Sequence, residues 1–185
     1  MAANIPSPVR GDRPIRVEYP EHMGSTFHSV TIHVIFTCKE RRPLITPAIA
    51  ERLYSYIGGI LRKRDCTLLE GGGVDNHVHL LIGMAPKHAI SDVLRDVKAN
   101  TSKWIHETWP KQEFAWQEGY GVFSVSISHI DKTRAYILNQ PEHHKRHTFE
   151  DELHRFKELH GLGDQSDESK SDNPSESPDP SPDTP

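Results

Sequence analysis

The sequence has few of the features that mark secreted or membrane proteins. Its 185 residues include two cysteines, Cys38 and Cys66, which form neither a CxxC pair nor a zinc-ribbon pattern. Two isolated thiols are typical of the reducing cytoplasm. No apolar run approaches the roughly 20 residues that a membrane-spanning helix needs, and a signal-peptide pattern is missing. We therefore expect a cytoplasmic protein that does not insert into a membrane.

Apolar residues are also scarce, at 35% of the chain, and the shortage is concentrated in the last residues. The segment 163–185 has seven acids, one lysine, five prolines and six serines. It cannot bury enough apolar surface to offset chain ordering, so we predict a disordered acidic tail. The other 162 residues carry a net charge of +2, which suits a nucleic-acid partner without identifying one. Residues 1–24 predict a flexible arm, which leaves 25–162 as one domain.

Within this domain the hydrophobic period switches between that of strands and that of helices. Alternating apolar residues predict strands over 27–37, 66–69, 77–82 and 121–127, with glycines 71–73 as a hairpin turn. Helical spacing predicts helices over 46–64, over 90–105, from 131 past 136, and over 149–160. The order predicts an α+β, ferredoxin-like split βαβ fold: a four-stranded antiparallel sheet with helices on one face and an additional C-terminal helix. The other face is expected to be free.

The predicted strand 77–82 carries two histidines, His77 and His79, in an otherwise apolar segment. Side chains alternate along a strand, so both imidazoles should project from the face opposite Val78 and Leu80. Two neutral imidazoles that converge in this way can bind one divalent metal. In a chain with 13 histidines, however, an HxH pair alone also fits two solvated strand residues.

A second candidate group follows in the predicted third helix, where Tyr136 and Gln140 are one helical turn apart. The amide oxygen of Gln140 can serve as a third metal ligand and leave room for phosphate and water. The metal would polarise a phosphodiester and the Tyr136 oxygen would attack it, giving a phosphotyrosine and a free 3′ hydroxyl. Mg²⁺ or Mn²⁺ fits this chemistry better than a closed zinc site. Tyr136 also fits a half-buried aromatic that packs on the sheet.

Basic residues near these groups are candidates for contacts to a DNA backbone. They are Lys98, Lys103, Lys132, Arg134, Lys145 and Arg146. Solvated helix surface is the default interpretation of such residues, and phosphate contact is the sharper hypothesis.

Three segments together resemble the HUH single-tyrosine transposases, the IS200-like enzymes of insertion sequences that move as single-stranded DNA. The segments are DNHVHLL at 75–81, WQEGYGVFSV at 116–125 and YILNQPEHH at 136–144. They occur in the family's order and spacing, and the resemblance spans roughly residues 24–163. The three segments are far more specific together than any one of them is alone.

The resemblance implies that His77, His79 and Gln140 bind the metal and that Tyr136 is the nucleophile. It implies cleavage and rejoining of single-stranded DNA at element ends, through a 5′-phosphotyrosine, after recognition of DNA hairpins. It also implies a homodimer in which the helix bearing Tyr136 serves the partner's histidines.

Other functions remain open on the sequence alone. A nucleic-acid-binding module would use the free sheet face to stack bases, although that face offers no row of aromatics. A metal-dependent phosphodiesterase would use water in place of Tyr136. A hairpin-binding protein without catalysis and an HUH endonuclease kept for a host role are further alternatives.

Overall fold

The computed structural model describes residues 27–162 of the chain. The predicted N-terminal arm and acidic tail lie outside the described residues. Four strands form one antiparallel sheet in the order β2-β3-β1-β4. They are β1 (Thr31–Thr37), β2 (Thr67–Gly73), β3 (His77–Gly83) and β4 (Gly121–Ser124). This strand order is that of the ferredoxin-like fold, so the predicted fold class is confirmed.

Five α-helices connect and cover the strands in the described part of the chain. They are α1 (Pro47–Arg62), α2 (Ile90–Thr108), α3 (Ile130–Leu138), α4 (Gln140–His143) and α5 (Phe149–Leu159). Local sequence explains where α1 begins: the Thr46 hydroxyl accepts a hydrogen bond from the Ile49 amide, and Pro47 takes the first helical position. None of the helices between residues 27 and 162 is both long and apolar enough to cross a membrane.

The apolar core lies between one face of the sheet and the helices α1 and α2. The strands contribute Ile32, Val34, Phe36, Val78, Leu80 and Ile82, and the helices contribute Ile49, Leu53, Ile57, Leu61, Val93, Leu94, Val97 and Ile105. Val34 pairs with Leu80 across the two central strands, and Ile35 pairs with His79. A slip of one residue would send the histidines of β3 into this core, so core packing fixes the register of the site.

The opposite face of the sheet is covered by α3, α4 and α5, so the expectation of a free face is wrong. Phe156 of α5 lies over His33, and Phe149 lies over His77. As a result, the side chains of His77 and His79 are fully buried. Helical periodicity predicts that α3 and α5 exist, but it does not say on which face of the sheet they pack.

Three strand boundaries also differ from the prediction. β1 begins at Thr31 and not at residue 27, and Phe27 is 90% exposed. Glycines 71–73 lie inside β2, and residues 74–76 form the turn to β3. β4 ends at Ser124, and Ile127, predicted to be in this strand, is 80% exposed in a short 3₁₀ turn. The glycines are explained by their neighbours, because side chains at these positions would collide with other elements.

Gly72 is the point at which α3 approaches β2 most tightly among the three glycines of this strand. A Cβ atom here would lie 2.5 Å from the backbone oxygen of Ile137 and 2.9 Å from its Cγ2. Because the backbone of α3 would have to move, we expect Gly72→Ala to lower the free energy of unfolding by about 1–3 kcal/mol. Chemical denaturation measures the effect.

Gly59, in the interior of α1, provides the matched control. A Cβ atom there would meet only the flexible end of Arg62, at 3.9 Å. Gly59→Ala should therefore be neutral or stabilise the protein by up to about 1 kcal/mol, because alanine favours helix over glycine. Equal stabilities of the two variants would contradict the close contact between α3 and β2.

Candidate active site

β3 directs two imidazoles into a polar cluster between the sheet and the helices α3 to α5. Val78 and Leu80 point into the apolar core, so His77 and His79 point to the other face. Their ring centroids lie 5.0 Å apart. The two rings are thus buried, but they lie outside the apolar core and face other polar side chains.

Each of these imidazoles is oriented by a hydrogen bond at Nδ1. Nδ1 of His77 donates to Oδ1 of Asn76 at 2.7 Å, and Nδ1 of His79 lies 3.0 Å from Nε2 of His33. The Nε2 atoms of His77 and His79 have no hydrogen-bond partner among the described residues. The pKa values of His33 and His77 are lowered to about 3, mainly because both rings are buried and secondly because His79 is close to each of them. A neutral imidazole anchored in this way is the form that binds a metal.

The helices α3 and α4 bring Tyr136 and Gln140 to the same cluster. The Tyr136 ring centroid lies 5.9 Å from that of His79, and the Gln140 side chain is fully buried. A break at Asn139 separates the two helices, so Tyr136 and Gln140 converge from different helices. Oε1 of Gln140 has no hydrogen-bond partner in residues 27–162.

Glu152 of α5 connects these groups, and sequence reasoning missed it. It is 3% exposed. Its Oε1 accepts hydrogen bonds from the Tyr136 hydroxyl and, at 2.9 Å, from Nε2 of Gln140. Its Oε2 lies 3.6 Å from Nε2 of His77 and 3.4 Å from Nε2 of His79. One carboxylate therefore touches both the tyrosine and the histidines.

Burial and hydrogen bonding set the charges of Glu152 and Tyr136. Burial alone would raise the pKa of Glu152, but contacts with His79, Tyr136 and Gln140 outweigh it and hold this pKa well below its usual range. Burial and the hydrogen bond to Glu152 raise the pKa of Tyr136 far above its usual value. The cluster thus contains a neutral phenol and a buried carboxylate, and such a carboxylate is costly without a nearby cation.

The cluster also includes His144, which follows α4. Its Nε2 lies 3.3 Å from Oε2 of Glu152. Four atoms, one each from His77, His79, His144 and Glu152, lie within 4.8 Å of one another. All four are buried and have no hydrogen-bond partner among the described residues. Unpartnered acceptors that converge on one point fit a bound cation, so this group could hold a metal ion.

Two of the six basic residues predicted to contact DNA link different elements of the fold. Nζ of Lys98 donates hydrogen bonds to the backbone oxygens of Gln117, at 2.5 Å, and Gly119, at 2.8 Å. These bonds tie α2 to the segment before β4. Arg134 lies 3.5 Å from Glu70 of β2. Both side chains therefore help to hold elements of the fold together.

The other four basic residues lie on the surface. Lys103 and Lys145 each pair with a glutamate on their own helical segment, at 3.8 and 2.7 Å. Lys132 and Arg146 are exposed. Contacts of all six residues to DNA remain predictions.

Comparison with known proteins identifies the family. The family described as "Transposase IS200 like" matches residues 26–140, which is more than half of the chain. The chain belongs to the IS200-like transposase family. The matched segment includes His77, His79, Tyr136 and Gln140 and ends before His144 and Glu152.

Two transposases are similar to part of this chain. The transposase for insertion sequence element IS200 of Salmonella typhimurium is 28% identical over 123 residues, which cover 61% of this chain and 78% of the relative. The ISDra2 transposase TnpA of Deinococcus radiodurans is 21% identical over 119 residues, which cover 61% of this chain and 85% of the relative.

Solved structures share the fold. A crystal structure of a protein from Deinococcus radiodurans R1 has a TM-score of 0.52 and 23% identity, covering 66% of this chain and 98% of that one. The structure of a REP-associated tyrosine transposase bound to a REP hairpin has a TM-score of 0.50 and 16% identity. The match covers 68% of this chain and 74% of that one. At these identities the likeness supports the α+β fold of this IS200-like transposase.

Proposed function

We propose that this IS200-like transposase cleaves and rejoins single-stranded DNA at insertion-element ends, with Tyr136 as the nucleophile. One observation carries the proposal: the hydroxyl of Tyr136 and the free Nε2 atoms of His77 and His79 meet at the same buried carboxylate, Glu152. A tyrosine that only packed on the sheet would not need its hydroxyl beside a cluster of unpartnered ligand atoms.

We propose His77, His79 and Gln140 as ligands of a divalent metal, Mg²⁺ or Mn²⁺. Their unpartnered Nε2 and Oε1 atoms support this assignment. When bound, the metal would polarise the scissile phosphate and offset negative charge in the transition state.

The Tyr136 hydroxyl would supply the attacking oxygen. As the bond from this oxygen to phosphorus forms, the bond from phosphorus to the 3′ oxygen of the preceding nucleotide breaks. The phenol loses a proton and the departing 3′ oxygen gains one, which leaves a 5′-phosphotyrosine and a free 3′ hydroxyl. Rejoining is the reverse attack by a 3′ hydroxyl, and the covalent intermediate conserves the bond energy between the two steps.

A surface groove beside the cluster offers a path for the DNA strand. It has a volume of about 620 Å³ and is lined in part by Arg41, Asn76, His144, His147 and Phe149. Because Asn76 and His144 both contact the buried cluster, a phosphate that entered this groove would approach the histidines from the side of His144.

We propose single-stranded DNA with hairpins near the element ends as the partner. The solved relative bound to a REP hairpin supports this choice of substrate class.

The predicted homodimer with trans sites remains a proposal. Tyr136 here lies beside the histidines of its own chain, so a trans site would require α3 to leave β2. Both cysteines are buried and unpaired, which supports the predicted cytoplasmic location.

The sheet-face binding module is disfavoured, because α3 to α5 cover the face on which bases would stack. A phosphodiesterase that uses water and a hairpin-binding protein without catalysis are the alternatives that an experiment must separate. Both alternatives are compatible with the observed positions of His77 and His79. They differ in outcome: the phosphodiesterase would release cut DNA without a covalent adduct, and the binding protein would leave the DNA uncut.

Incubation of the full chain with Mn²⁺ and hairpin-bearing oligonucleotides tests the function. We expect a protein–DNA adduct that survives denaturing electrophoresis, forms with a single strand next to the hairpin, and disappears with a chelator. Cleavage without an adduct would indicate the phosphodiesterase. Binding without cleavage, over a range of element-end hairpins, would indicate the non-catalytic protein and would contradict the proposal.

A further inference from the structure

The segment that follows Gln140 contributes two side chains to the cluster around β3. His144 and Glu152 both lie beyond residue 140, at which the family match ends. We infer that they are further metal ligands beside His77, His79 and Gln140, so that the site includes three imidazoles and one carboxylate. This inference deepens the proposed metal site and adds ligands that the HxH pair and Gln140 do not predict.

His144 has the same arrangement as the two histidines of β3. Its Nδ1 donates a hydrogen bond to the backbone oxygen of His147 at 3.1 Å. The opposite nitrogen, Nε2, is buried, has no hydrogen-bond partner in residues 27–162, and faces Glu152 at 3.3 Å. A backbone acceptor on Nδ1 fixes the tautomer and leaves the Nε2 lone pair for a metal. A histidine that was merely solvated would not need this anchor.

Oε2 of Glu152 is the common neighbour of the three imidazoles. It lies 3.3, 3.4 and 3.6 Å from the Nε2 atoms of His144, His79 and His77. Ligands that bind one metal side by side at about 2.0–2.2 Å are about 3.0–3.5 Å apart, close to these separations. A single protonated imidazole could account for one of the three contacts. One cation accounts for all three.

The carboxylate would also link the metal to the nucleophile. Oε1 of Glu152 accepts the hydrogen bond from the Tyr136 hydroxyl, and Oε2 faces the imidazoles. Glu152 is therefore a positioning residue for Tyr136 as well as a ligand. Because both contacts come from α5, this helix would hold the tyrosine beside the metal in the same chain.

The ligand set favours one class of metal. Imidazole nitrogens bind transition-series divalent ions well, whereas Mg²⁺ prefers oxygen ligands and retains its water. Three imidazoles and one carboxylate should therefore select Mn²⁺, Co²⁺ or Zn²⁺ over Mg²⁺. Of the two ions proposed for the reaction, this choice favours Mn²⁺.

Metal titration of the full chain without DNA tests the inference. Calorimetry with Mn²⁺ should show one site in the native protein, and His144→Ala or Glu152→Gln should weaken it more than about tenfold, the smaller end of losses around metal centres. Mg²⁺ should bind more weakly than Mn²⁺. With Co²⁺ as a spectroscopic probe, the visible spectrum should change in both variants, because each loses a ligand.

His154→Ala and Glu158→Gln are matched controls from α5. Both side chains are exposed and pair with each other, so these variants should bind Mn²⁺ like the native protein. Glu152→Gln keeps the shape of the side chain, and its thermal unfolding shows whether the protein is folded. Folded variants that retain native Mn²⁺ affinity and the native Co²⁺ spectrum would overturn the inference. These titrations contain no DNA. A failure of the proposed function would therefore appear in the DNA assay alone, as a protein that binds metal but forms no adduct.

Discussion

Tyr136→Phe is expected to abolish the covalent attachment of DNA to this protein while leaving the fold and Mn²⁺ binding intact. The substitution removes one oxygen atom, and the ring keeps its contacts with His33 and Phe156. Losing a covalent nucleophile should reduce the cleavage rate by at least about 10³-fold, as for other enzymes that act through one. The lost hydrogen bond to the buried Glu152 carboxylate should lower the free energy of unfolding by about 1.5–3 kcal/mol, which thermal unfolding can measure. Single-turnover cleavage of a labelled oligonucleotide measures the rate.

Tyr120→Phe is the control for this prediction. Tyr120 lies in the segment before β4, is 44% exposed, and belongs to one of the three segments that resemble the family. Because it is not among the residues that contact Glu152, its variant should form adducts at the native rate. Persistent adducts in Tyr136→Phe, or their loss in Tyr120→Phe, would mean that the nucleophile has been wrongly assigned.

His79→Ala is expected to weaken Mn²⁺ binding and to slow DNA cleavage, each by at least about 100-fold at low metal concentration. The substitution removes a proposed ligand nitrogen and also leaves Nε2 of His33 without its hydrogen-bond partner. It further removes one of the groups that face Oε2 of Glu152. Calorimetry measures the affinity, and cleavage assays over a range of Mn²⁺ concentrations measure the rate.

Excess Mn²⁺ should restore part of the cleavage by His79→Ala, since the other proposed ligands remain. His154→Ala, on the exposed side of α5, should have native affinity and a native rate. If His79→Ala cleaved DNA as fast as the native protein at the same low Mn²⁺ concentration, a role of the HxH pair in metal binding would be contradicted.

The fold class and most elements could be predicted because their signals are local. Thr46 and Pro47 mark the start of α1, and the alternation around Val78 and Leu80 marks β3 and directs its histidines away from the core. The glycines of β2 could not be interpreted in this way. Glycine usually indicates a turn, whereas Gly72 is required by the approach of α3, a contact between elements that are distant in sequence.

The site could be predicted only in part, for a related reason. HxH spacing within a strand brings His77 and His79 to one face through local geometry. Glu152 carries no such signal, because Glu150 and Asp151 precede it and acids are common in the first turn of any helix. How α5 docks on the sheet decides which of these acids is buried. The covered sheet face was missed for the same reason, since docking depends on the whole fold.

Peptide mapping by mass spectrometry after reaction with a hairpin-bearing single strand and Mn²⁺ is the most direct measurement. We predict that the 5′ phosphate of the downstream DNA is attached to the peptide containing Tyr136, and that fragmentation assigns it to the phenolic oxygen. Attachment to another residue, or cut DNA with no modified peptide, would show that the phenol beside the histidines is not the group that attacks DNA.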